Sequence, residues 1–247
     1  MVDVFYAAAL GFIAGLLPVY LGLIPLPLFR RLSAPRRNLL VSFSVGILLF
    51  LFADVTGEAV ELSKPAGYGT LLFAVGLVIG IGVPFVVASR RKRVNYSSSS
   101  GTGSVRSLAA YIISAAIGLH NLGEGLAIGA AYAGGQFTLT TLLVVGFALH
   151  NGTEGIAIAG PASDIPIRAR DPLLMGFLAG FPTVLGSIAG AALVSDLAGA
   201  FFFSMAAGAL IYVIVELTTR AQSSKNTFAG ITIGILVMYF TELLLST

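Results

Sequence analysis

The sequence predicts an all-α polytopic membrane protein, on three observations. Its 247 residues are 57% hydrophobic and only 10% charged, against roughly a quarter charged in soluble globular domains. Val4 to Phe29, Pro65 to Ser89 and Leu173 to Ser195 carry no charge, and each exceeds the ~20 residues that cross a hydrocarbon core. The basic residues, finally, fall in alternate connections between the apolar runs.

Apolar runs bounded by charges and turn residues give eight transmembrane helices, at roughly 4–29, 39–61, 67–89, 107–132, 137–160, 172–194, 198–220 and 226–245. The first begins after Asp3 with no basic n-region and no small-residue cleavage pattern, so it reads as a retained helix rather than a signal peptide. Between the fourth and fifth, Ala133-Gly134-Gly135-Gln136 supplies a tight turn. Arg30, Arg31, Arg36 and Arg37 follow the first helix, and Arg90, Arg91, Lys92, Arg93 and Arg106 lie between the third and fourth. Arg168 and Arg170 follow the fifth, and Arg220 and Lys225 the seventh, so that of the 14 basic residues only Lys64 lies on the other side. Because cytoplasmic loops retain Lys and Arg, both termini are expected on the extracytoplasmic side. Adding or removing one span would scramble the bias.

The expected organisation is a single transmembrane domain over 1–247, with one longer cytoplasmic connection at about 90–106, RRKRVNYSSSSGTGSVR, whose composition cannot build a packed core. A net charge of +3 and a pI near 9.3 are accounted for by these loops, so no nucleic-acid partner is implied. The absence of cysteine excludes disulfides, thiolate metal sites and cysteine nucleophiles. Eleven Arg against three Lys, with compact loops, points to a prokaryotic cell membrane. Pro18, Pro25, Pro27 and Pro84 interrupt helical stretches, and 30 glycines are spread through the chain, as close helix packing in lipid requires. Pro182 is a further candidate kink.

Both histidines of the chain head the same pattern. The fourth helix carries His120-Asn121-Leu122-Gly123-Glu124-Gly125 and the fifth His150-Asn151-Gly152-Thr153-Glu154-Gly155. At ~100° per residue, Asn lies about 100° and Glu about 40° from His, so one helix face carries all three side chains. Glu sits between the other two, which permits a carboxylate shared by a His-rich site and an Asn-rich one. An intramembrane carboxylate costs about 2.5–3.5 kcal/mol on insertion scales, and a bound cation offsets that cost. Imidazole with carboxylate suits zinc, iron, cobalt or manganese, whereas a copper(I) site would want thiolate. The ligands must be neutral histidine and ionised glutamate, so protons compete with metal.

At these residues the chain resembles the ZIP (Zrt/Irt-like) metal transporter family, particularly prokaryotic members with HNxPEG motifs on their fourth and fifth helices. Ser42-Phe43 through Asp54 and Glu58 resembles the family's second helix, and Gly208 through Glu216 its seventh. The resemblance implies a monomeric or homodimeric carrier moving zinc or related divalent ions into the cytoplasm by an elevator-like or alternating-access motion. Carried over, the primary metal site is His120, Glu124, His150 and Glu154. Asn121 and Asn151 complete an adjacent second site, with Glu124 or Glu154 as the bridge. Three departures bear on this. Gly123 and Thr153 stand where the motif has proline, Phe181 stands where many relatives have a carboxylate before Pro182, and Asn151 replaces the aspartate of some relatives. The second site is therefore expected to be the weaker.

Asp54, Glu58 and Glu61 cluster toward the outer end of the second helix, either as a cation-concentrating vestibule or as an interfacial helix end. Glu216, near the cytoplasmic end of the seventh, either helps release metal or pairs with Arg220 at i+4. The expected function is divalent transition-metal transport, zinc foremost, with iron, manganese, cobalt and cadmium as further candidates. The metal is substrate rather than prosthetic group, and the partners are the ion and the lipid bilayer. An intramembrane metallohydrolase could use the same ligands, but the HExxH order is absent. A passive metal channel is the other alternative within transport, and a metal sensor without flux would want a soluble output domain.

Overall fold

The computed structural model describes residues 3–64, 67–96, 102–163, 168–192, 196–219 and 225–246, and these are helical apart from short turns. Eight helices follow one another: α1 (Val4–Phe29), α2 (Ala34–Ser63), α3 (Gly69–Tyr96), α4 (Thr102–Ala133), α5 (Phe137–Ala162), α6 (Asp171–Ala192), α7 (Asp196–Thr218) and α8 (Lys225–Ser246). Seven contain a described segment long and apolar enough to cross a membrane; in α8 the apolar stretch is Asn226–Thr241. The chain is an integral membrane protein.

The boundaries differ from expectation in one region. α3 runs on through the basic cluster to Tyr96, and α4 starts at Thr102 inside the Ser/Gly tract. Most of the expected 90–106 linker is thus helix, and its centre, 97–101, lies outside the described residues. The turn between α4 and α5 is as read. Gly135 has φ 71°, the left-handed conformation that glycine adopts at a helix C-terminus, and Gln136 N–H closes it on Ala131 O at 3.0 Å.

Large apolar side chains face outward: Phe5, Ile24, Leu71, Val78, Phe137, Leu173 and Phe228 are all exposed on the perimeter, where lipid would meet them. With lipid as apolar as any side chain, helices associate through close backbone approach. Glycine seams provide it. Along α4 and α6, a Cβ at Gly125 would sit 2.2 Å from Thr183 O and one at Gly129 2.1 Å from Ser187 O. From the other side, a Cβ at Gly186 would sit 2.2 Å from Leu122 O and one at Gly190 2.2 Å from Leu126 O. Gly22 and Gly155 join α1 to α5, Gly46 and Gly234 join α2 to α8, and Gly80 and Gly208 join α3 to α7 in the same way.

These seams sort the helices into two groups. α1, α4, α5 and α6 pack on one another, as do α2, α3, α7 and α8, and the groups meet chiefly where α4 touches α7 and where α5 touches α2 and α8. Gly125→Val is expected to cost about 1–3 kcal/mol by overpacking and to lower the unfolding midpoint of the detergent-solubilised protein by several degrees. Gly82→Ala, where a Cβ meets nothing within 4 Å, is expected to leave that midpoint in place. Equal midpoints for the two variants would remove the seam from the account of stability.

Candidate metal centre

α4 and α5 bring the two motifs face to face. His120, Asn121, Glu124, His150, Asn151 and Glu154 are all buried. Glu124 Oε1 lies 3.2 Å from His120 Nε2 and 3.7 Å from His150 Nε2, while Glu154 Oε1 lies 3.9 and 3.6 Å from the same two atoms. A tetrahedral zinc with bonds of ~2.0–2.2 Å separates its ligands by about 3.3–3.6 Å, so these four edges fit a cation at the centre after small adjustments. Ligand atoms of His120, Glu124 and His150 lie within 4.8 Å of one another. Glu154 falls outside that trio, but its Oε1 still approaches both imidazoles.

None of the four converging atoms has a hydrogen-bond partner among the described residues. A buried polar atom left unpaired costs ~1–3 kcal/mol, more when charged. Packing glue would satisfy these atoms with hydrogen bonds; here they lie 3.2–3.9 Å from one another with none made.

The other oxygen of each glutamate is held from behind, whereas Nδ1 of both histidines is, like Nε2, without a hydrogen-bond partner among the described residues. Asn151 Nδ2 donates to Glu124 Oε2 at 2.7 Å and to Ala14 O of α1 at 3.0 Å. Asn121 Nδ2 donates to Glu154 Oε2 at 2.9 Å and to Ala179 O of α6 at 3.1 Å. Each motif thus braces the other's glutamate, and each carboxylate is divided, Oε1 toward the imidazoles and Oε2 toward an asparagine, as the angular order along the helix requires. Both Asn Oδ1 atoms are buried without a hydrogen-bond partner among the described residues.

One of the two carbonyl anchors has a local cause. A π-helical segment at Phe12–Leu16 precedes Pro18, and proline has no N–H to give to the carbonyl four residues back. That carbonyl is Ala14 O, which Asn151 takes up. On α6, Pro182 likewise leaves Leu178 O without its helical donor, and Gly118 of α4 packs against that oxygen. Ala14 and Ala179 escaped the sequence reading because backbone carbonyls have no side-chain signature; Pro18 and Pro182 were the pointers to this region, and the Thr183 hydroxyl is buried there without a hydrogen-bond partner among the described residues.

The remaining sequence candidates lie outside this cluster. Asp54 is half-buried and Glu58 exposed on α2. Glu61 is exposed and pairs with Lys64. Glu216 is half-buried on α7, and Arg220, its expected partner, lies outside the described residues. Phe181 stacks on the exposed Phe177 with ring centroids 4.5 Å apart, turned toward the perimeter rather than the site.

Comparison with known proteins agrees with this geometry. The family profile described as ZIP Zinc transporter matches residues 91–242, a span that includes both motifs. The chain is also 26% identical over 261 residues to Zinc transporter ZIPB of Bordetella bronchiseptica, with 95% of this chain and 80% of that protein covered. A match over more than half the chain, one that takes in the whole buried His/Glu cluster, makes this protein a member of the ZIP zinc transporter family.

Proposed function

We propose that this protein carries zinc, or a related divalent transition-metal ion, into the cytoplasm by alternating access at the His120, Glu124, His150 and Glu154 site. The observation that carries this reading is the convergence of four buried ligand atoms that have no hydrogen-bond partner among the described residues. Both termini are extracytoplasmic in this scheme, so the outer end of α2 offers Glu58 and then Asp54 to an arriving hydrated cation. Imidazole nitrogens and carboxylate oxygens replace its water. Two ionised glutamates balance a divalent charge, so the loaded site is neutral and loses the desolvation penalty of an unpaired charge.

All four ligands, and both carbonyls that anchor the asparagines, belong to α1, α4, α5 and α6. That group can therefore move against α2, α3, α7 and α8 without dismantling the site. Glu216, on the cytoplasmic half of α7, receives the released ion. A second ion on the Oδ1 side of Asn121 and Asn151 would bind more weakly, because neutral amide oxygens stand where some relatives have carboxylates.

Uptake into proteoliposomes of purified protein tests the proposal, with zinc, iron(II), manganese and cadmium compared. Saturable zinc uptake is expected. Flux that rises without saturation would favour a passive channel, and cleavage of a membrane-embedded peptide with no ion flux would favour a metallohydrolase.

A further inference from the structure

Among the described residues, a set of side-chain hydrogen bonds between helices stays on one side of the seam between the two groups. Those of Tyr20, Tyr111, Asn121, Asn151 and Ser187 stay within α1, α4, α5 and α6, and that of Asn38 to Thr227 joins α2 to α8. Thr153 departs from the pattern. Its hydroxyl lies 2.6 Å from the carbonyl of His150 in its own helix and 3.1 Å from Sδ of Met238 on α8. The corresponding motif position on α4 is Gly123, where a Cβ would sit within 2.4 Å of the Phe203 ring of α7. That ring also lies 6.4 Å, centroid to centroid, from the His120 imidazole. In both motifs, then, the residue just before the glutamate engages the opposite group.

We propose that Thr153 and Gly123 are positioning residues of the transport cycle: they seat the metal site against Met238 and Phe203 and release it when the site-bearing group moves. This rests on the transport reading above. The chemistry suits contacts that are made and broken repeatedly. A hydroxyl has one proton to donate, and when Met238 moves away that proton keeps the His150 carbonyl as acceptor, so no buried donor is stranded. The thioether is a weak, flexible acceptor, and Phe203 meets Gly123 through dispersion alone. Inside the site-bearing group the bonds that brace the two glutamates run from carboxamide to carboxylate, and such bonds are strengthened by charge.

The test uses reconstituted full-length protein with Thr153→Val, Thr153→Ser, Met238→Leu and the Thr153→Val/Met238→Leu double variant, each keeping approximate volume. Loss of the seating contact lowers the barrier to leaving this state. Thr153→Val and Met238→Leu are each expected to raise Vmax for zinc uptake about threefold, the scale of one weak neutral hydrogen bond, with KM within about twofold. The double variant should match either single one, since the partners share one interaction, and Thr153→Ser should behave as wild type. Unchanged Vmax in both single variants, additive effects in the double, or a shift confined to KM would overturn the proposal. Hydrogen exchange at the α5 and α8 amides, expected to rise in both single variants, reads the contact without flux, and unchanged exchange would also overturn it. Failure of the wild type to transport any ion would count against the transport reading, while the exchange result would still decide the contact.

Discussion

Glu154→Ala is expected to lower zinc uptake at least ~100-fold while the protein still elutes as a folded species. Loss of a group that merely supports a ligand costs about 10–100-fold in metal affinity or activity, and Glu154 does more than support. Its Oε1 faces both imidazoles, its Oε2 accepts from Asn121, and its charge is half of what neutralises a divalent ion. Glu154→Gln separates these roles, because it keeps an oxygen for Asn121 but loses the charge. It should fold as well as the wild type and transport almost as poorly as the alanine variant. Undiminished flux in either variant would remove Glu154 from the site.

The second large effect is expected at the asparagines. Asn151→Leu removes the donor to Glu124 Oε2 and to Ala14 O, and Asn121→Leu removes the donor to Glu154 Oε2 and to Ala179 O. Each variant leaves a buried carboxylate oxygen without its partner, which costs about 1.5–3 kcal/mol for a charged group. It also frees the glutamate to rotate away from the imidazoles. Zinc affinity, measured by chelator competition on purified protein, should fall ~10–100-fold in each. Because the two motifs brace one another in the same way, the two losses should be of similar size. Affinity within twofold of wild type would show that the asparagines do not position the glutamates.

Much of the site was legible in the sequence, and the reason is contrast. In a chain so poor in charge, histidine, asparagine and glutamate on one face of an apolar helix stand out, and their repetition thirty residues later made packing an inadequate explanation. The alternation of Arg and Lys set the helix count for a similar reason. Other parts had no contrast to offer. Phe203 and Met238 are apolar residues in apolar helices, and nothing in sequence marks them as neighbours of the motifs. The roles of Gly123 and Thr153 depend on what faces them across the seam, so as departures from a proline motif they read only as a lost kink. At 90–106, where basic and Ser/Gly residues suggest a linker, α3 continues to Tyr96 and α4 starts at Thr102, since a helix once nucleated extends at little cost per added residue.

The central claim is that the two motifs form one metal site, and X-ray absorption at the zinc edge of the loaded protein tests it most directly. The expected spectrum shows a nitrogen and oxygen shell at ~2.0–2.1 Å, with the outer-shell scattering of two imidazoles and no sulfur. That imidazole signal should fall by half in His120→Ala and equally in His150→Ala. A shell without imidazole, or a spectrum unchanged by either substitution, would contradict the assignment.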